Sequence, residues 1–154
     1  MIDGADIVVR NVIATAFGGG FDRGDNGQTE SGIRNDGSNP KLLGCALPIR
    51  SIEAATKGSP LAFPGQHIPW GTLVKVWRED PKSPDGTGEA SAITLQLIDN
   101  GPDQEDDPTH AIDITVYAAH HFAPQIALED LANDFEQQGF SFRILGAARY
   151  ALAA

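Results

Sequence analysis

Residues 97–115 read LIDNGPDQEDDPTHAIDIT. This stretch holds six acidic side chains and one histidine, and it begins and ends with residues typical of β-strands. Five of the carboxylates fit a solvated loop, but Asp113 stands inside the apolar run AIDI at residues 111–114. Charged groups are rarely placed among apolar strand residues unless something neutralises or uses them. Asp113 is therefore the first candidate for a functional residue.

The segments around this stretch have the composition of short strands. Residues 6–17 (DIVVRNVIATAF) are rich in β-branched side chains and predict one strand, or two with a bend. Residues 92–99 (AITLQLID) alternate with a period of two, which puts their apolar side chains on one face. Further strands are predicted at residues 44–52 (GCALPIRSI), 73–77 (LVKVW) and 140–152 (FSFRILGAARYAL).

Residues 116–139 have the pattern of helices. Pro124 is expected to divide them, because proline lacks a backbone donor and interrupts a helix. The second helix is expected to run to about residue 138 and to end at Gly139, since glycine commonly follows a helix C-terminus. About six or seven strands with helices inserted late favour a small, mainly β barrel. No low-complexity linker divides the chain, so one domain over residues 1–154 is predicted.

The charge of the chain bears on its partners. Formal net charge is −10 over 154 residues, and the 11 basic residues are scattered. Phosphate contacts need clustered Lys and Arg, so no nucleic-acid partner is expected. No apolar stretch approaches the roughly 18 residues of a membrane span. No secretory leader is recognised at the N-terminus, which leaves localisation open between action inside the cell and export by another route.

The single Cys45 has apolar neighbours. It is interpreted as a small buried thiol and not as a nucleophile, because nothing in the adjacent sequence would lower its pKa.

Four segments, in order, carry a family resemblance. They are ATAF at residues 14–17, TESG at 29–32, IPWGTLVKVW at 68–77 and LIDNGPDQEDDPTHAIDITVYAA at 97–119. They are similar to the Ala-Ser-Trp/Tyr-Tyr, Thr-Ala-Ser-Gly, Leu-Pro-Phe-Gly-Thr-x-Val-x-Val and Asn-Asp-Arg-Gly-Pro…Ile-Asp-Leu-Ser segments of the RlpA-like family. This family is related to the expansin N-terminal domain, the MltA transglycosylase core and the 3D domains. The resemblance implies a six-stranded double-psi β-barrel with one or two inserted short helices.

The chain departs from the family pattern in three places. Asn100 stands where the family has arginine, and the loop between Asp99 and Asp113 is longer and acidic. His67 lies closer to the Pro-x-Gly-Thr turn than the family's histidine does.

The resemblance implies that Asp113 is the general acid and base of a lytic transglycosylase. Cleaving a glycosidic bond requires a proton for the leaving oxygen. If the substrate's own C6 hydroxyl then closes onto C1, one carboxyl group gives a proton first and removes one afterwards. A carboxyl between Ile112 and Ile114 is expected to have a raised pKa through desolvation. The alternative is that Asp113 binds a loop, or Thr29, and only braces the barrel.

Other candidates surround Asp113 in the sequence. Asp99 is either a second carboxylate that tunes Asp113 or holds sugar, or a turn residue before Gly-Pro. Thr29 and Ser31 are either hydrogen-bond partners of the site or turn hydroxyls, and the resemblance favours Thr29 as a partner of Asp113. Trp70 can stack on a sugar ring or cap the barrel.

His67 and His110 are the histidines placed nearest the expected cleft. His110 lies three residues before Asp113, so the two side chains are expected on opposite faces of a strand. No ligand spacing typical of zinc is present, and the acidic run at residues 103–107 lacks the EF-hand pattern, so neither a metal nor another cofactor is predicted.

Three functions remain open at this point. The first is a peptidoglycan lytic transglycosylase or another glycan-cleaving enzyme. The second is a non-catalytic, expansin-like module that binds a cell-wall polysaccharide. The third is a protein-interaction or inhibitor barrel. A monomer is expected in each case.

Overall fold

The computed structural model describes residues 1–21, 27–36, 38, 41–47, 68–79, 88–100 and 110–150. Within them lie seven strands: β1 (Ile2–Asp3), β2 (Asp6–Phe17), β3 (Gly44–Leu47), β4 (Leu73–Arg78), β5 (Ile93–Asn100), β6 (His110–Thr115) and β7 (Glu136–Ile144). The described helices are α1 (Val116–Phe122) and α2 (Leu128–Asp134), with short 3-10 helices at Glu89–Ser91 and Ala147–Tyr150.

Six of the strands close into a barrel. Around the ring the order is β2, β6, β3, β5, β4 and β7, and β7 pairs back with β2. The β2–β6 and β3–β5 pairs are parallel, and the other pairs of the ring are antiparallel. The prediction of a mainly β fold with a six-stranded barrel and short inserted helices is confirmed. The mixed strand directions are compatible with a double-psi barrel.

β2 bends so that the ring can close. Its 12 residues pair with β6 on one side and with β7 on the other. Its register against β7 shifts between Val9 and Val12 and again between Val12 and Ala14, and Asn11 has a φ of 58°. Such irregularities kink a strand and increase its twist, which a closed barrel requires. Of the two predicted alternatives, one strand or two with a bend, the structure shows one strand over Asp6–Phe17, with an irregular register.

The prediction for the end of the second helix is wrong. α2 ends at Asp134, and Gly139 lies inside β7 instead of terminating a helix. Pairing with β2 begins at once, with Glu136 opposite Thr15 and Gln137 opposite Ala14. Gly139, at a φ of 77°, lies where the register shifts, because β7 uses one more residue than β2 at that point. Pairing across the sheet outweighs local helix preference here. Pro124 does separate α1 from α2, as predicted.

The last predicted strand is shorter than the sequence indicated. β7 ends at Ile144, and Ala147–Tyr150 form a 3-10 helix.

Alternating residues of the strands fill one core. Ile112 and Ile114 of β6 are fully buried together with Phe140 and Phe142 of β7. Asp113, between the two isoleucines, is half-buried. Because successive strand residues point to opposite faces, Asp113 projects away from the core that its neighbours fill.

No helix among the described residues is long and apolar enough to cross a membrane. The single domain over residues 1–154 stays a prediction, since several segments lie outside those residues.

Candidate functional site

Asp113 lies in the middle of β6, beside β2. Thr15 is its register partner in the parallel β2–β6 pair, and the Thr15 hydroxyl donates a hydrogen bond to Asp113 Oδ1. Both side chains are half-buried. Asp113 is therefore partly accessible to solvent. A catalytic or binding role requires such access.

A row of paired residues runs from Thr15 across three further strands. Asp113 pairs with Ala46 of β3, and Ala46 pairs in turn with Asp99 of β5. Ala46 is buried and contributes only a methyl group between two acidic residues. Two strand spacings separate the backbones of Asp113 and Asp99 by roughly 10 Å. We call Thr15, Asp113, Ala46 and Asp99 the acidic row.

The loop of residues 29–33 packs against the Asp99 end of this row. The backbone N–H of Glu30 donates to Asp99 Oδ1 at 3.2 Å, and the N–H of Ser31 donates to the carbonyl oxygen of Ile98 at 3.1 Å. Asp99 is a half-buried residue of β5, near the end of that strand. The structure thus brings Asp99 and the loop that carries Thr29 and Ser31 into direct contact.

The two hydroxyls of this loop bind each other. Thr29 Oγ1 donates to the carbonyl oxygen of Ile33 at 2.6 Å, and the N–H of Ile33 donates to Ser31 Oγ at 3.2 Å. The two hydroxyl oxygens are 2.9 Å apart, so Ser31 donates to Thr29 when Thr29 donates to Ile33. Each hydroxyl has one proton, and both protons are used inside the loop. The hydroxyl donor described for Asp113 is Thr15, and the described hydrogen bonds of Thr29 lie within its own loop.

Trp70 lies in a turn on the other side of β5. Gly71 N–H donates to the carbonyl oxygen of Leu97 at 2.9 Å, and Leu97 N–H donates to that of Thr72 at 2.9 Å. Leu97 precedes Asp99 by two residues, so the turn is anchored near the Asp99 end of the acidic row. Trp70 is 37% exposed, which leaves part of its indole accessible to a ligand.

Three predicted features cannot be placed. His67 and the acidic run at residues 103–107 lie outside the described residues. His110 belongs to β6, and its backbone pairs with Ile13 of β2. The side chain of His110 lies outside the described part of the structure. Within the described part of the chain there is no group of three or more His, Cys, Asp or Glu residues that could hold a metal ion.

Cys45 is the buried thiol that the sequence predicted. Its side chain is fully buried in the core, next to Ala46 in β3. Burial raises the pKa of the Cys45 thiol, and the negative charge of Asp113 raises it further. The charge of the Asp113 carboxylate therefore influences a group in the interior of the barrel, although Asp113 itself is only half-buried.

A second half-buried carboxylate, Glu79, follows β4 on the far side of the barrel. Its Oε1 accepts hydrogen bonds from Ser141 Oγ at 2.6 Å, Arg10 at 3.0 Å and Trp77 Nε1 at 3.2 Å. Burial alone would raise the pKa of Glu79. The hydrogen bonds from Ser141, Trp77 and Arg10 together outweigh it and hold the pKa below 4.5.

Sequence reasoning missed Thr15 and Asn35. Thr15 is a polar residue among apolar residues of β2, as Asp113 is in β6. This shared placement was the signal in the sequence that could have identified Thr15. Asn35 is one of the few polar residues that are completely buried among those described. Nothing in its local sequence distinguishes it from a turn residue.

Comparisons with known proteins leave the family open. A scan against models of protein families gave no match, and a search of curated proteins gave none either. The barrel is compatible with the double-psi fold, whereas membership of the RlpA-like family stays a prediction.

Proposed function

We propose that this protein acts on a cell-wall glycan, as a lytic transglycosylase-like enzyme on peptidoglycan that uses Asp113 as its general acid and base. The observation that carries the proposal is the position of Asp113. It is a half-buried carboxyl group held by the Thr15 hydroxyl and lies in one row with Asp99. The resemblance of the four sequence segments to RlpA-like barrels supports the choice of substrate.

The reaction needs one carboxyl group that changes roles. Protonated Asp113 gives its proton to the glycosidic oxygen as the bond from C1 to that oxygen breaks. The C6 hydroxyl of the same sugar then attacks C1 and gives its proton to the Asp113 carboxylate. A 1,6-anhydro ring forms, the leaving sugar keeps the first proton, and Asp113 ends protonated as it began. No water and no protein nucleophile are consumed.

Neighbouring residues have separate tasks in this scheme. The Thr15 hydroxyl orients the carboxyl group through Oδ1, so the transferred proton would reside on Oδ2. Asp99 is two strands away, too far to bind Asp113 directly, and we assign it to a sugar hydroxyl. Its Oδ1 is oriented by Glu30 N–H.

The exposed indole of Trp70 favours a second candidate, a glycan-binding module without catalysis. Aromatic faces stack on sugar rings, and Trp70 is 37% exposed on a turn joined to β5. In that case Asp113 and Asp99 would bind hydroxyl groups and transfer no proton.

The deciding experiment is digestion of purified peptidoglycan with mass analysis for anhydro-sugar ends. We expect such ends with the native protein and with Asp130→Asn, an exposed acid on α2. We expect at least about 100-fold fewer with Asp113→Asn. Unchanged products from Asp113→Asn would remove Asp113 as acid and base. If the native protein gives no products but sediments with insoluble wall, and Trp70→Ala abolishes the sedimentation, the binding module is the better proposal.

A further inference from the structure

Asn35 is a completely buried amide near the end of residues 18–36, a glycine-rich segment that follows β2. Its Nδ2 donates to the carbonyl oxygen of Phe17 at 3.2 Å, and its Oδ1 accepts from Gly19 N–H at 3.1 Å. The backbone of Asn35 makes two further hydrogen bonds. Its N–H donates to the carbonyl oxygen of Gly27 at 2.8 Å, and its carbonyl oxygen accepts from the N–H of Gly19 at 2.9 Å. The side chain at this position must supply one hydrogen-bond donor and one acceptor, and the carboxamide group of asparagine supplies both.

The surrounding chain is shaped to receive this side chain. A Cβ at Gly18 would overlap the Asn35 carboxamide, and a Cβ at Gly19 would overlap Val116. Both glycines also have positive φ, at 77° and 72°. The backbone after β2 therefore wraps directly around the amide, which no larger residue at these positions would permit.

Asn35 connects the two ends of the acidic row. Phe17, its partner on β2, lies two residues after Thr15, which donates to Asp113. In the other direction, Asn35 closes the loop whose Glu30 N–H donates to Asp99. Within the described residues, the side-chain amide thus holds residue 35 at the end of β2, and the backbone N–H of the same residue closes the loop over β5.

We propose that Asn35 is a positioning residue of the candidate site, which sets the loop of residues 29–33 against Asp99 relative to the Thr15–Asp113 pair. The proposal rests on the proposed function only for its effect on turnover. The positioning itself is a structural claim that can be measured on the protein without substrate.

Substitution of Asn35 separates positioning from simple stabilisation. Asn35→Ala removes both side-chain bonds, and Asn35→Asp keeps the acceptor for Gly19 but loses the donor to Phe17. Asn133→Ala is the control, because Asn133 Nδ2 donates to the carbonyl oxygen of Phe21 at 3.0 Å at the other end of the glycine-rich segment. The backbone amide of Glu30 should exchange with solvent faster in both Asn35 variants, since the loop no longer holds it against Asp99. Asn133→Ala should leave this exchange rate unchanged.

Turnover provides the second readout. We expect a loss of about tenfold or more in kcat per folded molecule for the Asn35 variants, with a smaller change in KM, because the reacting groups are displaced and not removed. A native protein without turnover would defeat the proposed function, while exchange of the Glu30 amide would still decide the positioning. Variants that lower the unfolding midpoint but leave both the exchange of the Glu30 amide and the turnover of the folded protein unchanged would overturn the proposal.

Hydrogen exchange on the native protein tests the proposal even if the Asn35 variants do not fold. If Asn35 couples the two segments, the amides of Gly19, Glu30 and Asn35 should open with one common free energy. Exchange of Glu30 at a free energy unrelated to that of Gly19 and Asn35 would equally overturn the proposal.

Discussion

Asp113 and Glu79 are both half-buried carboxylates on this barrel, and each accepts a hydrogen bond from a hydroxyl group on a neighbouring strand. Glu79 also receives Arg10 and Trp77, so its charge is compensated by donors from β2, β4 and β7. Hydrogen bonds to a buried charge hold strands together, and that accounts for every contact of Glu79 described above.

Within the acidic row, the described hydrogen bond to the Asp113 carboxyl group comes from one donor. Thr15 gives one hydroxyl, Ala46 gives a methyl group, and the next residue in the row is a second carboxylate. The charge of Asp113 also raises the pKa of the buried Cys45 thiol, which keeps that thiol neutral. The described contacts of Glu79 join three strands and serve stability, whereas the hydrogen bond described for Asp113 is a single one, from Thr15.

Removing the charge of Asp113 should have the largest effect on function. In Asp113→Asn we expect peptidoglycan turnover to fall by at least about 100-fold, because the general acid is lost. Glu79→Gln should keep native turnover in the same assay at a temperature where it is folded. Equal losses in the two variants would mean that the two carboxylates do not differ in role.

For stability we expect the opposite order, with a larger loss in Glu79→Gln than in Asp113→Asn. Glu79→Gln is expected to lower the free energy of unfolding by about 2 kcal/mol, because three donors lose a charged acceptor. Asp113→Asn should cost less, as measured by urea unfolding at neutral pH. A larger cost for Asp113→Asn would make Asp113 the structural carboxylate.

The contribution of Glu79 should depend on pH. Its folded pKa is lowered below the ordinary value of 4.5, so the stabilisation is present above 4.5 and is lost as pH falls through the folded pKa. The difference in unfolding free energy between the native protein and Glu79→Gln should therefore shrink at acid pH. A difference that grows on acidification would contradict the lowered pKa.

The two hydroxyl donors offer a smaller, matched test. Thr15→Val should reduce turnover about tenfold, because Asp113 loses the group that orients it, with a stability loss of about 1 kcal/mol. Ser141→Ala should lower stability by about 1.5 kcal/mol, because its buried hydroxyl joins Asn11 N–H to Glu79, and should spare turnover. Turnover lost in Ser141→Ala and kept in Thr15→Val would reverse the assignment of the two regions.

The smallest effect concerns Cys45. Its buried thiol should resist alkylation by iodoacetamide in the folded protein and react once urea unfolds it. Asp113→Asn removes the lesser of the two causes that raise the thiol pKa, so labelling of the folded variant should remain slow. Rapid labelling of folded Asp113→Asn would show that the charge, and not burial, protects the thiol.

The sequence by itself determined the positions of β2, β4 and β5, the break at Pro124, the buried state of Cys45 and the unusual placement of Asp113. These follow from alternation, turn residues and side-chain polarity, which act over a few neighbouring residues. It did not reveal where α2 ends, because the pairing of residues 136 and 137 with β2 overrides the local preference.

Only the tertiary structure decided how the candidate site is assembled. Thr15 and Asp113 are 98 residues apart in the chain, and Glu30 and Asp99 are 69 apart. Barrel closure sets the register that brings each pair together, and register is a property of whole strands and not of any short segment. Asn35 is the sharpest case, because a polar residue in a glycine-rich loop becomes a buried link only when β2 and that loop meet.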